Sequence, residues 1–222
     1  MNRPAELPPP GDVHLWIVDL ADAAGELWQY SSAASSDEQL RARKFRDPAN
    51  GARYCAAHGA LRVVLAGYLN CQPRDIAIRA HDRGKPYVEH TTIEFNLSHA
   101  GTKALIAVSD RRPVGVDVER IRSVPEMAAI LPMIATREER ASIAPLDTSA
   151  QLSAFFRLWT RTEALCKMTG MGLSEHFEPC RETLNICKLV HVLDLEGYAG
   201  CVAAEGFDWR LVRQDRDPDL NR

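Results

Sequence analysis

Val114-Gly115-Val116-Asp117-Val118-Glu119-Arg120 reads as a strand with two chemically different faces. Alternation sends Val114, Val116 and Val118 to one side and Gly115, Asp117 and Glu119 to the other. Two carboxylates therefore share a face, where they repel each other unless a cation or a basic group lies between them. Hard oxygen donors of this kind suit magnesium. A solvated strand face flanked by Arg112 and Arg120 accounts for the same spacing, so the stretch takes its meaning from what surrounds it.

Toward the C-terminus, the spacing predicts a long helix from about Ser149 to Met168, ended by Gly170 and Gly172. Glu163 and Lys167 stand four apart on it, so they share a face in the order favoured for an ion pair. Such a pair on an open surface contributes only about 0.2–0.5 kcal/mol. Beside Asp117 and Glu119, however, Glu163 would add a third carboxylate and Lys167 a charge able to offset phosphate. The intervening residues, Ser123 to Pro145, are mixed and proline-interrupted, which suggests short helices forming a flap. Strands are expected over Leu184–Leu195, Tyr198–Ala204 and Trp209–Val212, followed by a frayed RQDRDPDLNR end.

Toward the N-terminus, the apolar strand of FNLSHAG ends in Asn96, Ser98 and His99 beside a small-residue turn that lets a ligand approach closely. A satisfied structural histidine is the competing reading. Further strands are expected over Asp75–Ala80, Pro86–Glu89, Glu94–Ser98 and Lys103–Ser109, punctuated by Gly84-Lys85-Pro86 and Ala100-Gly101. Tyr54, Ala57, Leu61, Val64, Leu65 and Tyr68 recur at helical spacing and leave Arg53 and Arg62 off the buried stripe. Ser35 to Glu38 offers a cap for a helix over Gln39–Phe45, and Val13–Leu20 alternates like a strand. Strands grouped between helices in both halves predict an α+β protein with two similar lobes.

The chain has 222 residues, 45% of them hydrophobic and 26% charged, enough for one large core or two small ones and unlike disordered or fibrous sequences. No apolar run approaches the roughly 20 residues of a membrane span, and MNRPAELPPPGD lacks a secretory pattern. The expected compartment is the cytoplasm. Cys55, Cys71, Cys166, Cys180, Cys187 and Cys201 form no CxxC pair, as expected of free thiols in a reducing compartment. A net charge of -3 argues against a nucleic-acid binder. The segment Arg41, Arg43, Lys44, Arg46, Arg53 and Arg62, opposed only by Asp47, is nevertheless strongly basic and suits a small, multiply phosphorylated ligand.

Taken in order, RARKFRDPANGARYCAAHGALRVVL, RGKPYV, FNLSHAG, VGVDVERIR and FFRLWTRTEALCKMTGMGL resemble the Sfp-type 4'-phosphopantetheinyl transferases from Arg41 to Leu173. The resemblance implies two pseudo-symmetric α/β lobes, residues 1–112 and 113–222, with coenzyme A in the cleft between them. It implies that Arg53 and His99 hold the adenosine 3'-phosphate, with Arg41, Arg43 or Lys44. Lys85 and Pro86 would line the adenine pocket and Ser98 would help hold the phosphates. Asp117, Glu119 and Glu163 match the magnesium ligands, and Lys167 the lysine that contacts the pyrophosphate. Trp159 matches a tryptophan expected to pack this helix in place.

The implied reaction moves phosphopantetheine to a serine of an apo acyl or peptidyl carrier protein, with Glu163 the candidate base. Thr162 departs from the family pattern, which often has lysine there, and Glu139 is the one residue carried over from an indistinct flap motif. Val124 to Ile134 is either the carrier docking surface or ordinary flap packing. A chain of this length is expected to act as a monomer whose lobes stand in for a dimer. Two rivals share these residues: a non-catalytic homologue that only binds coenzyme A or a carrier, and a metal-dependent phosphohydrolase.

Overall fold

Period-two alternation assigns each strand face to a different core. The computed structural model describes residues 6–21, 27–171 and 184–214. Strand β1 (Asp12–Asp19) sends Val13 and Leu15 into one apolar cluster and Val18 into another. Helices α1 (Leu27–Ala33), α2 (Ser36–Ala42) and α3 (Pro48–Leu69) follow, then a hairpin of β2 (Ile78–Ala80) and β3 (Pro86–Val88). After these come β4 (Ile93–Ala100), β5 (Lys103–Asp110) and β6 (Val114–Arg120). The short helices α4 (Met127–Ile134) and α5 (Arg137–Ile143) lead into α6 (Thr148–Thr169), and the chain closes with β7 (Cys187–Val192), β8 (Tyr198–Glu205) and β9 (Arg210–Gln214).

Two sheets result. The first has the order β4-β5-β1-β9, with β9 returning from the far end of the chain to pair parallel with β1. The second is antiparallel, β6-β8-β7. Val13, Leu15, Leu105 and Ala107 from the first sheet meet Val114, Val116, Val118, Val202 and Ala204 from the second, so the sheets share one apolar core. The opposite face of the first sheet, through Val18, Phe95, Ala104, Ile106 and Val108, packs on α3. The opposite face of the second, through Cys201 and Ala203, packs on Ala164, Leu165 and Met168 of α6. The fold is mixed α/β with two sheet-and-helix regions.

Local chemistry sets the ends of the helices. Ser35 and Glu38 close a capping box on α2, and Asp47 and Asp147 cap α3 and α6. The flap expected from Ser123 to Pro145 is the pair α4 and α5. Helix α1 has no counterpart among the sequence expectations. The strand expected from Asp75 begins only at Ile78, because Pro73 starts a 3-10 turn that ends at Asp75. Gly172 and residues 215–222 of the expected frayed end lie outside the described residues, whereas Arg213 and Gln214 belong to β9.

Arg62 corrects another expectation, since it is buried rather than turned off the stripe. Its Nε donates to Glu38 Oε2 at 2.7 Å and its Nη1 to the carbonyls of Pro73 and Ile76 at 3.2 and 2.9 Å. A buried guanidinium needs such partners, and periodicity cannot foresee them.

Candidate active site

The site forms where the edges of the two sheets meet. On β4, residues Phe95 and Leu97 face α3, so Asn96 and Ser98 must face β6. Asn96 Oδ1 accepts from Val116 N at 2.9 Å, and Ser98 Oγ accepts from Val118 N at 3.3 Å. These two side chains satisfy backbone donors of an edge strand that would otherwise be buried unpaired. They also fix the register between β4 and β6.

Asp117 points the other way, toward α6, together with Gly115 and Glu119. A β-carbon on Gly115 would lie 2.1 Å from Ala164 O and 2.4 Å from Met168 N. Only glycine lets the helix backbone come this close. The close approach brings Lys167 Nζ to 2.7 Å from Asp117 Oδ1 and 3.0 Å from Ser98 Oγ, while Ser98 Oγ donates to Asp117 Oδ1 at 2.8 Å. Three elements thus converge on one polar triad.

Electrostatics links Glu163 to both other carboxylates and Glu119 to Asp117. Burial, the Asp117 charge and the Glu119 charge push Glu163 up to about 7, against the opposing pull of Lys167. Burial and the Asp117 charge also raise Glu119, against the opposing pull of Arg122 and Lys167. Trp159 stacks on Phe155 with ring centres 6.2 Å apart.

Among the described residues, no group of three or more histidine, cysteine, aspartate or glutamate side chains is gathered tightly enough to hold a metal ion. The chemistry of the donor set nevertheless fits one. Asp117 Oδ2 is buried and has no hydrogen-bond partner among the described residues, and the two neighbouring carboxylates favour protonation because no positive charge fully offsets them. Asp117, Glu119 and Glu163 are oxygen donors of the kind a divalent cation takes, but among the described residues they are not gathered around one point.

Beside the triad lies a cavity of about 780 Å³, with Arg41, Tyr54, His58, Pro86, Ser98, His99 and Lys167 among its lining residues. Tyr54 is a hub, with its ring 4.2 Å from that of His58 and 6.0 Å from that of His99, while the Arg41 guanidinium lies 5.4 Å from its centre. Burial first, then the nearby His58 and Lys167, lower His99 to about 4, which favours a neutral imidazole near pH 7. Sequence reasoning missed Tyr54 and His58 as site residues. Their spacing of four on one helix face was the available signal.

The other expected ligand contacts lie elsewhere. Lys85 Nζ donates to Glu94 Oε2 and to Met168 O, both at 3.0 Å, so it fastens the β2–β3 hairpin to β4 and to the end of α6. Arg43 lines a separate recess of about 660 Å³ beside Phe45 and Cys55. Arg53 reaches Asn50, and Lys44 is exposed. Thr162, at the position where the family pattern has lysine, is buried and returns its hydroxyl to Leu158 O at 3.0 Å.

The sequence pattern of the 4'-phosphopantetheinyl transferase superfamily matches residues 113–213, which include β6, α6 and the second sheet. The 4'-phosphopantetheinyl transferase HetI of Nostoc sp. is 30% identical over 213 residues, covering 90% of each chain. A phosphopantetheinyl transferase of Thraustochytrium sp. is 27% identical over 206 residues, 85% of this chain and 72% of its own. The 4'-phosphopantetheinyl transferase psf-1 of Bacillus pumilus is 28% identical over 163 residues, 73% of this chain and 69% of its own. The chain belongs to the 4'-phosphopantetheinyl transferase superfamily.

Proposed function

We propose that this chain is an Sfp-type enzyme that transfers the 4'-phosphopantetheine of coenzyme A to a serine hydroxyl of an apo acyl or peptidyl carrier protein, releasing adenosine 3',5'-bisphosphate. The observation that carries the reading is the meeting of Lys167, Asp117 and Ser98 at the edge of a cavity of about 780 Å³. Two further carboxylates with raised proton affinity adjoin it. The reading takes the two halves, residues 1–112 and 113–222, as pseudo-symmetric lobes around this cavity, with β9 crossing back to complete the first sheet.

In the reaction, the serine oxygen bonds to the β-phosphorus of the pyrophosphate as the bridging bond to the adenosine side breaks. Negative charge builds on the leaving phosphate, and Lys167 is placed to offset it. When bound by Asp117, Glu119 and Glu163, magnesium would supply the remaining positive charge along the diphosphate. Glu163 takes the serine proton as the new bond forms. His99, neutral when the cavity is open, gains its proton beside the 3'-phosphate, with Arg41 alongside. Arg43, Lys44 and Arg53 add to the positive field around the ligand, Pro86 lines its adenine side, and Lys85 holds that wall in place.

Cys55, Cys71, Cys166, Cys187 and Cys201 are free thiols, which suits a reducing compartment such as the cytoplasm, and Cys180 lies outside the described residues. No described helix is long and apolar enough to cross a membrane, and the proposal takes the enzyme as a monomer. The test is incubation with coenzyme A, magnesium and a panel of apo carrier proteins, read by intact-protein mass spectrometry. A carrier heavier by one phosphopantetheine, with adenosine 3',5'-bisphosphate in equal amount, is the expected result. Free phosphopantetheine with unmodified carriers would instead indicate hydrolysis and reject the proposal.

A further inference from the structure

Arg161 takes no part in the cavity, yet its guanidinium is fully engaged. Its Nη1 donates to Glu139 Oε1 at 2.5 Å, and its Nη2 donates to Glu139 Oε2 and to Ile134 O, both at 3.1 Å. The Glu139 carboxylate also accepts from Thr136 N at 2.9 Å, which completes the capping box of α5. Ile134 is the last residue of α4, so its carbonyl has no partner further along that helix. One side chain of α6 thus joins the C-terminal end of α4 to the N-terminal cap of α5.

Helices of seven and eight residues are marginal by themselves, so the placement of α4 and α5 follows from what fastens them. Ile134, Ile130 and Leu131 supply the apolar fastening against Phe155, Phe156 and Trp159 of α6. Apolar contact is tolerant of sliding, whereas a two-pronged Arg–carboxylate pair fixes orientation. Arg161 and Glu163 stand two apart on α6 and so project from different faces of the same helix, which ties the placement of the segment to that of the cluster.

The cavity is lined from residues 35–41, 54–62, 76–86 and 96–99 and by Lys167, with no lining residue between 121 and 146. The segment from 121 to 146 therefore takes no part in the wall of this cavity, and the reaction proposed above has a second substrate to place. Helix α4 has no charged side chain and exposes Ala128, Ala129, Pro132 and Met133, the last 49% exposed. We propose that Arg161 is a positioning residue for the protein acceptor, locking α4 and α5 onto α6 so that the carrier serine is presented to the cluster, without contacting coenzyme A. This rests on the transferase reading above.

The test compares wild type, Arg161→Met and Arg161→Lys with coenzyme A, magnesium and an apo carrier that the wild type modifies. Arg161→Met is expected to raise the acceptor KM about tenfold, the order of effect of losing one charge-assisted contact, with the coenzyme A KM unchanged and kcat within about threefold. Arg161→Lys keeps the charge but loses the fork, so it recovers only part of the acceptor KM. Amide hydrogen exchange in ligand-free Arg161→Met should accelerate over residues 136–143 and stay unchanged in α3. Equal rises in both KM values, a change in kcat alone, or unchanged exchange at 136–143 would overturn the acceptor role. A wild-type chain that modifies no carrier rejects the transferase reading and the acceptor role with it, whereas active wild type with an unchanged acceptor KM in Arg161→Met rejects the acceptor role alone.

Discussion

Helices α3 and α6 are each 22 residues long, begin at an Asp cap and end at a residue with positive φ, Asn70 at 51° and Gly170 at 70°. Their interiors diverge. Helix α3 buries 14 residues and α6 only 8, and the residues that α6 leaves half-buried include Arg161, Glu163 and Lys167. The single charged residue that α3 buries, Arg62, gives three hydrogen bonds to Glu38 and two carbonyls, although it also borders the cavity. On α6, Lys167 reaches β4 and β6 and Arg161 reaches α5. Helix α3 offers the cavity Tyr54 and His58 from a largely buried scaffold, whereas α6 carries its charged groups on a half-buried face.

The sharpest way to break this contrast is to neutralise one charge on each helix. Glu163→Gln keeps the size of the side chain and removes the proposed base, so turnover should fall about 100- to 10,000-fold. Its coenzyme A affinity, measured by calorimetry, should change far less. Equal losses in both would return Glu163 to a purely binding role. Arg62→Met should do the reverse, costing about 3–5 kcal/mol in urea unfolding because Glu38 is left buried without its main partner, while the folded fraction keeps its turnover.

Glycines provide the next comparison. A β-carbon on Gly59 of α3 would lie 1.7 Å from Tyr30 O, and one on Gly115 would press on α6. Gly59→Ala and Gly115→Ala should each destabilise the protein by about 1–3 kcal/mol or more, as overpacking does. Only Gly115→Ala should also lower activity per folded molecule, because it moves Lys167 away from Asp117. Matching specific activities in the two variants would show that the strand-to-helix distance has no catalytic consequence.

Much of this contrast was legible in the sequence. Alternation in VGVDVER placed Gly115, Asp117 and Glu119 together, and helical spacing placed Glu163 with Lys167, because both signals are local. What stayed hidden depends on partners distant in sequence. FNLSHAG marks Asn96 and Ser98 as polar groups at a strand end, but does not show that both accept from β6 backbone donors 20 residues away while Ser98 also borders the cavity. Gly84-Lys85-Pro86 marks a turn, but nothing local foretells that the Lys85 amine ends on Glu94 and Met168. Helix α1 gave no sequence signal that was recognised, and nothing in the basic run from Arg41 to Arg62 separates Arg41 at the cavity from Arg43 in another recess.

The smallest expected effect separates the two halves by pH. Glu38, despite the cost of burial, is held down to about 2 by His58, Arg62 and the Ser35 amide. Its contribution is therefore fully present above the unfolded value near 4.5 and is lost as pH falls from there toward 2. Glu163 has the opposite sign. With its folded value raised to about 7, the unfolded chain releases its proton first, so stability drops as pH rises from about 4.5 to 7. Each limb should amount to on the order of 1–3 kcal/mol after allowance for partial exposure. In magnesium-free buffer, Glu163→Gln should flatten the upper limb and Glu38→Gln the lower one. Adding magnesium should flatten the upper limb of wild type as well, since a cation among the carboxylates favours their ionised form. A wild-type upper limb that ignores magnesium would mean that Glu163 senses only burial and its neighbours, and that the cluster on α6 is as purely structural as the Arg62 pair on α3.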